Sequence, residues 1–137
     1  MPLPKTPALT VDCVVLDRQQ RLLVVRRGNP PFKGMYALPG GFVDIGETAE
    51  DACRRELLEE TGVRVGKLQL LGVYSDPKRD PRGHTCSVAF LTRIQRASAK
   101  AGDDAAAVEW IENWSRANMA FDHARILADA KRMLRKK

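Results

Sequence analysis

Apolar and polar positions along the chain predict a strand-rich fold. Residues 9–16 and 22–26 are rich in leucine and β-branched side chains, and five polar residues separate them, which is typical of a hairpin. Residues 63–74 and 85–95 alternate or run apolar and should pair as two long strands, and residues 107–111 should form a short one. The pattern therefore predicts one sheet as the main element.

Two helices are expected, one in the middle and one at the end. Thr48 is a predicted N-cap for a helix running to about Thr61, because Asp51 follows three residues later and Gly62 stands where a C-terminal glycine belongs. Residues 121–135 carry apolar side chains at helical spacing and predict a closing helix with a basic last turn.

Proline and glycine mark the connections. Residues 28–39 contain several prolines and glycines and should form a loop, and residues 37–43 should be a short strand bent at Gly40 and Gly41. Residues 76–83 are charged and contain two prolines, so they should form a loop between the two long strands. Loops on a rigid scaffold often carry binding residues.

Length and composition restrict the class of protein. A chain of 137 residues with 44% hydrophobic content suits a single domain, 1–137. The N-terminus lacks the apolar segment of a secretory signal, and no apolar run reaches the roughly 20 residues of a membrane span. A cytoplasmic protein without membrane contact is expected. Three cysteines without metal-ligand spacing predict reduced structural thiols.

The net charge of +6 fits either a nucleic-acid partner or anionic small molecules. Much of the excess lies at the C-terminus, in Lys131, Arg132 and residues 135–137. A nucleic-acid surface is the weaker interpretation, because aromatic residues make up only 6% of the chain and are not interleaved with basic runs.

Three glutamates give the strongest indication of chemistry. Glu56, Glu59 and Glu60 lie three and four positions apart, so on a helix their carboxylates share one face. Such a cluster can be a solvated acidic surface, but it adjoins the apolar stripe of Ala52 and Leu57, where unpaired charges are costly. Hard divalent ions take carboxylate, water and phosphate oxygens. The cluster therefore indicates a metal-assisted phosphate site.

The segment that contains these glutamates resembles the Nudix box, G-x5-E-x7-R-E-U-x-E-E-x-G-U, where U is aliphatic. Residues 41–63 match it at every specified position, from Gly41 and Glu47 to Arg55, Glu56, Glu59, Glu60, Gly62 and Val63. Residues 26–40 and 121–127 are similar to the flanking segments of the family, so the resemblance covers essentially the whole chain. It implies an α/β fold, the Nudix α/β/α sandwich with a mixed β-sheet between helices.

The resemblance also implies a reaction and its residues. Nudix enzymes hydrolyse a nucleoside diphosphate linked to another group, with Mg²⁺ that Mn²⁺ can replace. Glu56, Glu59 and Glu60 and the backbone carbonyl of Gly40 would be metal ligands. Arg55 would orient a carboxylate or contact substrate, and Glu47 would pair with Arg55, bind a second ion or act as a base. The general base stays open between a box glutamate and a distal carboxylate, for which Asp103, Asp104 and Glu109 are candidates.

Basic and aromatic residues before and after the box are candidates for substrate binding. Arg26, Arg27 and Lys33 would face the site, and Tyr36 or Phe32 could stack on a base or pack in the core. Lys78, Arg79 and Arg82 could meet the diphosphate or terminal ribose, or lie in solvent. His84 could be catalytic or structural. His123, with Phe121 and Asp122, is expected to pack and cap the last helix.

The loop after the box favours one substrate. Pro77 lies 14 residues beyond Val63, and residues 75–84 look like those of small microbial ADP-ribose pyrophosphatases in the family. ADP-ribose would be cut to AMP and ribose 5-phosphate. The alternatives are a (d)NTP pyrophosphohydrolase acting on oxidised nucleotides and a non-catalytic nucleotide sensor, although sensors usually have damaged boxes. RNA decapping would need a broader basic face, and a homodimer is an open expectation.

Overall fold

A mixed sheet with a helix on each face forms the fold. The structure, a computed structural model, describes residues 2–95 and 107–136. Within these ranges the strands are β1 (Ala8–Leu16), β2 (Leu22–Arg26), β3 (Tyr36–Ala37), β4 (Gly40–Phe42), β5 (Gln69–Tyr74), β6 (Thr85–Arg93) and β7 (Ala107–Ile111). The helices are α1 (Ala49–Thr61), α2 (His123–Arg135) and a single 3₁₀ turn at Trp114–Arg116.

β1 lies at the centre of the sheet. The order is β3-β2-β1-β6-β5, with β4 also paired to β1 and β7 to β2. β1 and β6 run parallel over nine residue pairs, whereas the other pairings are antiparallel, so the sheet is mixed. The predicted hairpin, the pairing of β5 with β6, and the sandwich with its mixed sheet are confirmed.

Alternate side chains of β1 enter two separate cores because successive strand residues point to opposite faces. Val11, Cys13 and Val15 pack with Ala52 and Leu57 of α1. On the other face, Val14 and Leu16 pack with Ile126, Leu127 and Ala130 of α2. β1 is therefore buried on both faces, which explains its nearly continuous apolar sequence.

Helix α1 has the predicted ends. The Thr48 hydroxyl accepts a hydrogen bond from the Asp51 amide at 3.0 Å, and Gly62 adopts a left-handed conformation with φ of 73° and donates to the Leu58 carbonyl. An N-cap of this kind contributes about 1 kcal/mol. The ends place the three box glutamates in the second half of α1.

Three expectations need correction. The strand expected at residues 37–43 is divided, since β3 pairs with β2 whereas β4 pairs with β1. Residues 63–68 are outside β5 and instead place Val63 and Val65 against the α1 core. The last helix begins at His123, after Phe121 has adopted a positive φ of 54°.

Two of the three cysteines lie side by side in the core. The sulfur atoms of Cys13 on β1 and Cys53 on α1 are in contact, while Cys86 is separate from them. The expectation of reduced thiols stays a prediction for this pair. The two residues are 40 positions apart, and no local pattern in the sequence brings them together.

Apolar side chains are exposed on the edge strand β5. Leu70 and Val73 on β5 are 57% and 58% exposed, and β5 is the last strand at its edge of the described sheet. These two residues are called the β5 strip. No helix within the described ranges is long and apolar enough to cross a bilayer.

Candidate active site

The Gly40–Gly41 pair brings β4 unusually close to its neighbours. A Cβ on Gly40 would lie 2.0 Å from the Val11 carbonyl oxygen, and a Cβ on Gly41 would lie 2.6 Å from the Glu56 carboxyl carbon. At Gly40 the obstacle is backbone, so only glycine fits there, whereas at Gly41 it is the Glu56 carboxyl group, which a side chain would displace. The glycine turn therefore lies directly against the glutamate cluster of α1.

Arg55 connects the acidic residues of the box. Its guanidinium donates two hydrogen bonds to Glu47, at 2.8 and 2.9 Å, and one to Glu56 at 2.8 Å. It also reaches Glu59 at 3.3 Å and the Phe42 carbonyl at 3.0 Å. Of the roles left open for Arg55, the geometry supports orientation of carboxylates, with Glu47 as its paired support.

Electrostatics follow from these contacts. The hydrogen bonds from Arg55, and then that from the Asp44 amide, lower the pKa of Glu47 to about 2. The same pairing with Glu47 raises the pKa of Arg55 further above its usual value. Glu47 and Arg55 are thus both ionised, and Arg55 holds the Glu56 carboxylate beside the Gly41 backbone.

Glu60 has a different environment. Burial, and then the neighbouring Glu56 carboxylate, raise the pKa of Glu60 to about 9. The Gly40 amide donates to Glu60 at 3.3 Å. Two carboxyl groups this close cannot both ionise without a cation between or beside them.

A divalent ion fits this donor set. Glu56 and Glu60 are hard oxygen ligands whose mutual repulsion a cation would relieve, and the Gly40 backbone is adjacent. Among the described residues no three acidic, histidine or cysteine side chains are arranged to hold a metal ion by themselves. Mg²⁺ usually keeps several waters and takes substrate phosphate oxygens, so one or two carboxylates can be its only side-chain ligands.

Two pockets open beside the glutamates. The first, about 190 Å³, is lined on the α2 face by residues including Thr10, Asp12, Phe42, Arg82, Phe121 and His123. The second, about 360 Å³, is lined by Arg26, Gly28, Asn29, Glu56 and Glu59. Val25, Arg27 and Glu60 line both pockets. Glu60 therefore lies where two pockets meet, and Glu56 and Glu59 line the second pocket alone.

Arg27 and Arg82 reach the first pocket around Phe121. Their guanidinium carbons lie 4.9 and 5.5 Å from the Phe121 ring centre, and Phe32 packs against the same ring edge-on at 4.9 Å. Burial, and then the charge of Arg82, lower the pKa of Arg27. Arg82 is already paired with the Asp80 carboxylate, at 3.1 and 2.8 Å, so Arg27 is the guanidinium of this wall better suited to an anionic ligand.

Arg79 is placed differently from the other basic candidates. Its side chain is only 5% exposed and donates to both Asp122 oxygens at 2.9 and 2.7 Å, to Thr85 at 2.7 Å and to Asp12 at 3.3 Å. Burial would lower the pKa of Arg79, but Asp122 and Asp12 together raise it. The side chain lines the first pocket while most of its donors serve this buried network.

The remaining candidates lie further from the glutamates. Arg26 lines the second pocket, but its guanidinium lies 4.5 Å over the Tyr36 ring and donates to the Tyr36 hydroxyl and to Glu109. In the described part of the chain, Tyr36, Lys33 and His84 line neither pocket, and His84 Nε2 lies 2.9 Å from the Ser75 carbonyl oxygen. Asp103 and Asp104 lie outside the described residues.

Sequence reasoning missed several residues of the first pocket. Asp12 and His123 are buried in its wall, Phe121 separates two arginines, and Phe42 is exposed at its edge. One signal was available for Asp12, because a carboxylate interrupts the apolar run of β1 and a buried charge needs partners. His123 and Phe121 were expected to pack and cap the last helix, and nothing in their local sequence indicated a pocket.

The fold and the site together define an α/β/α sandwich with an acidic centre at a glycine-rich strand-to-helix turn. Comparison with known proteins identifies the family: the model for the NUDIX domain matches residues 6–135. The chain belongs to this family and is a Nudix hydrolase. Enzymes of the family use a divalent metal ion.

Three relatives illustrate the similarity. The chain is 46% identical to an ADP-ribose pyrophosphatase of Methanocaldococcus jannaschii, over 90% of this chain and 72% of the relative. It is 34% identical to the ADPR responsive transcriptional repressor NtrR of Acinetobacter baylyi, over 91% of this chain but 53% of that protein. The NUDIX domain of Shewanella oneidensis NrtR, solved in complex with ADP ribose, superposes with a TM-score of 0.86 and 30% identity, over 95% of this chain and 90% of that one.

Proposed function

We propose that the protein hydrolyses the diphosphate linkage of a nucleoside diphosphate derivative, and that ADP-ribose is cut to AMP and ribose 5-phosphate with Mg²⁺. The observation that carries the proposal is the meeting of two pockets at Glu60. A substrate with a diphosphate between two bulky groups can place one group in each pocket. The ADP-ribose pyrophosphatase relative and the ADP ribose complex of the NrtR domain support this choice.

The metal site in this proposal consists of Glu56, Glu59 and Glu60 with the Gly40 carbonyl. Mg²⁺ or Mn²⁺ bound there would neutralise phosphate oxygens and lower the pKa of a coordinated water. Arg55 keeps Glu56 and Glu59 oriented, and Glu47 keeps Arg55 in place. The elements that hold the ligands are a capped helix and a strand, which suits a site requiring fixed geometry.

Substrate contacts come mainly from arginines. Arg27 lines both pockets and is placed to reach the diphosphate, and Arg82 is placed to reach an anionic group in the first pocket. Arg26 contributes from the second pocket. Lys33 and Tyr36 are weaker candidates, because neither lines a pocket in the described ranges. Arg79 supports the pocket wall, and its contact with substrate stays a prediction.

Hydrolysis requires a water oxygen to attack one phosphorus while the bridging P–O bond breaks. The water proton must pass to a base, and the bridging oxygen leaves on the other phosphate. A box glutamate is our first candidate for the base, because Glu56, Glu59 and Glu60 line the second pocket. Glu109 is held by Arg26 and Tyr36, with contacts of 3.2 and 3.0 Å, and is therefore a less direct candidate.

Product analysis tests the proposal. Purified protein with Mg²⁺ and ADP-ribose should give equal amounts of AMP and ribose 5-phosphate, resolved by ion-exchange chromatography. Release of pyrophosphate from 8-oxo-dGTP with ADP-ribose left intact would support the (d)NTP alternative instead. Binding of ADP-ribose without turnover would support a sensor, the role that the similarity to an ADPR responsive repressor keeps open.

We also propose a homodimer that pairs the β5 strip of two copies. The strip is apolar and exposed on a strand at the edge of the described sheet, and a twofold pairing would cover the same surface on both copies. Light scattering should give the mass of a dimer for the wild type and the mass of a monomer for the Val73→Lys variant.

A cytoplasmic location stays a prediction.

A further inference from the structure

A buried polar network lies behind the first pocket. Asp12 on β1 accepts hydrogen bonds from the Ser87 hydroxyl at 2.5 Å and from Arg79 at 3.3 Å, and His123 Nε2 lies 3.2 Å from its other oxygen. Burial would raise the pKa of Asp12, but His123, Ser87 and Arg79 together lower it. The network joins β1, β6, the 76–83 loop and the start of α2.

Geometry fixes the tautomer of His123. The Leu38 amide donates to His123 Nδ1 at 3.0 Å, so that nitrogen must carry a lone pair and not a proton. The ring proton is therefore on Nε2, where it donates to Asp12. His123 is 4% exposed, and both ring nitrogens have partners inside the protein. The imidazole thus joins one backbone amide to one carboxylate.

The amide that His123 holds belongs to the segment leading into the metal site. Leu38 is followed by Pro39, whose carbonyl accepts from the Cys13 amide at 2.9 Å, and then by Gly40, which pairs with Asp12 across β1 and β4. Proline fixes its own φ, and Gly40 has no space for movement toward Val11. The Leu38 amide is thus one of three anchors of the segment that ends at Gly40, and it is the one that a side chain provides.

We propose that His123 is a positioning residue for the metal site: its Nδ1, through the Leu38 amide, sets the direction of the Gly40 carbonyl. The inference rests on the proposed ligand role of Gly40. It assigns the two ring nitrogens different tasks. Nδ1 serves the metal site, whereas Nε2 holds α2 against β1 through Asp12.

Two amide substitutions separate these tasks. In His123→Asn the side-chain amide occupies approximately the position of Nδ1, so its oxygen can accept from Leu38 while the contact with Asp12 is lost. In His123→Gln the amide extends to approximately the position of Nε2, so it can donate to Asp12 while the Leu38 amide is left unpaired. Each variant loses one buried hydrogen bond, so each should be similarly destabilised.

The readout is Mn²⁺ affinity without substrate, measured by electron paramagnetic resonance titration, together with thermal unfolding. We expect His123→Gln to bind Mn²⁺ about tenfold more weakly than the wild type, and His123→Asn to stay within about threefold. Equal losses in both variants, or wild-type affinity in His123→Gln, would overturn the proposal. Because no substrate is present, a failure of the ADP-ribose assignment would not change this result.

A second measurement needs no variant. In ¹⁵N-labelled wild-type protein, the Leu38 amide nitrogen and His123 Nδ1 should show a scalar coupling across their hydrogen bond. The Leu38 amide resonance should also shift on saturation with Mg²⁺, because Leu38 belongs to the segment that carries the proposed ligand Gly40. A protonated Nδ1, or a Leu38 resonance unaffected by a metal that demonstrably binds, would contradict the proposal even if both variants failed to fold.

Discussion

Gly41 and Glu56 are so close that a single added carbon atom would collide with the carboxylate. The hypothetical Cβ of residue 41 lies 2.6 Å from the Glu56 carboxyl carbon and 2.7 and 2.8 Å from its oxygens. A side chain at position 41 and the observed position of the Glu56 carboxylate therefore exclude each other. The first glycine of the box is required by the space that this carboxylate occupies, in addition to any requirement of the turn.

Gly41→Ala should displace the Glu56 carboxylate while the fold persists. We expect kcat to fall by about 100-fold, because a ligand position is lost in a site that depends on geometry. Steady-state kinetics at saturating Mg²⁺ would measure this. Gly66→Ala is the matched control, since a Cβ there meets nothing within 4 Å and activity should be unchanged. Near-normal turnover in Gly41→Ala would contradict the assignment of Glu56.

Arg55→Lys should weaken the whole carboxylate array. Lysine keeps the charge but cannot span Glu47, Glu56 and the Phe42 carbonyl as the guanidinium does. We expect kcat/KM to fall by roughly 10- to 100-fold, with a larger Mg²⁺ requirement.

The neighbouring Arg54→Lys provides the control for Arg55. Arg54 donates to the exposed Gly66 carbonyl and to Asp51, away from the glutamates. Its replacement should leave kcat/KM within about twofold, as is usual for surface contacts. Equal effects of the two changes would show that Arg55 acts only as a surface charge.

Glu59→Gln tests the most exposed member of the cluster. Its carboxylate is 58% exposed and contacts Arg55 at 3.3 Å, so the fold should tolerate the change. If Glu59 is a ligand, kcat should fall by about 100-fold or more with unchanged unfolding temperature. Glu50→Gln, in the exposed first turn of the same helix, should retain activity. Wild-type turnover in Glu59→Gln at saturating Mg²⁺ would remove Glu59 from the ligand set.

Glu60 should make the metal-free protein sensitive to pH. Its carboxyl group has a pKa of about 9 in the folded state against an ordinary value of 4.5, so between these values the folded state keeps a proton that the unfolded state releases. The free energy of unfolding should therefore decrease as pH rises through this window. Glutamine cannot ionise, so Glu60→Gln should lack this contribution.

Urea unfolding in the presence of a chelator would measure the difference. Relative to Glu60→Gln, the wild type should be less stable at pH 9 than at pH 5, and Mg²⁺ at pH 8 should stabilise the wild type more than the variant. A stability difference that is constant across this range would show that Glu60 ionises normally without metal.

Local sequence signals predicted the box helix in detail. Thr48, Asp51 and Gly62 are all within one turn of the helix ends that they define, so no distant partner was needed. The division of residues 37–43 into β3 and β4 was not predictable in the same way. That division depends on which neighbouring strand each half pairs with, and both strands precede it in the chain.

The buried network around Asp12 was also not predictable, because its members lie far apart in the chain. Arg79 is read from sequence as one of several charges in an exposed loop, yet its partners Asp12 and Asp122 lie 67 and 43 residues away. His123 reaches Leu38 across 85 residues. Contacts of this range give no spacing pattern, so the sequence indicated the glutamate cluster but not the buried network behind the first pocket.

The meeting of two pockets at Glu60 also affects how the reaction ends. If each half of a cleaved substrate occupies its own pocket, neither half blocks the mouth through which the other leaves. Release can then occur in either order, and both halves can be bound together for a time. Under the proposed reaction, AMP and ribose 5-phosphate would each inhibit the enzyme alone. Added together, they would inhibit it more strongly than two ligands that compete for one binding site.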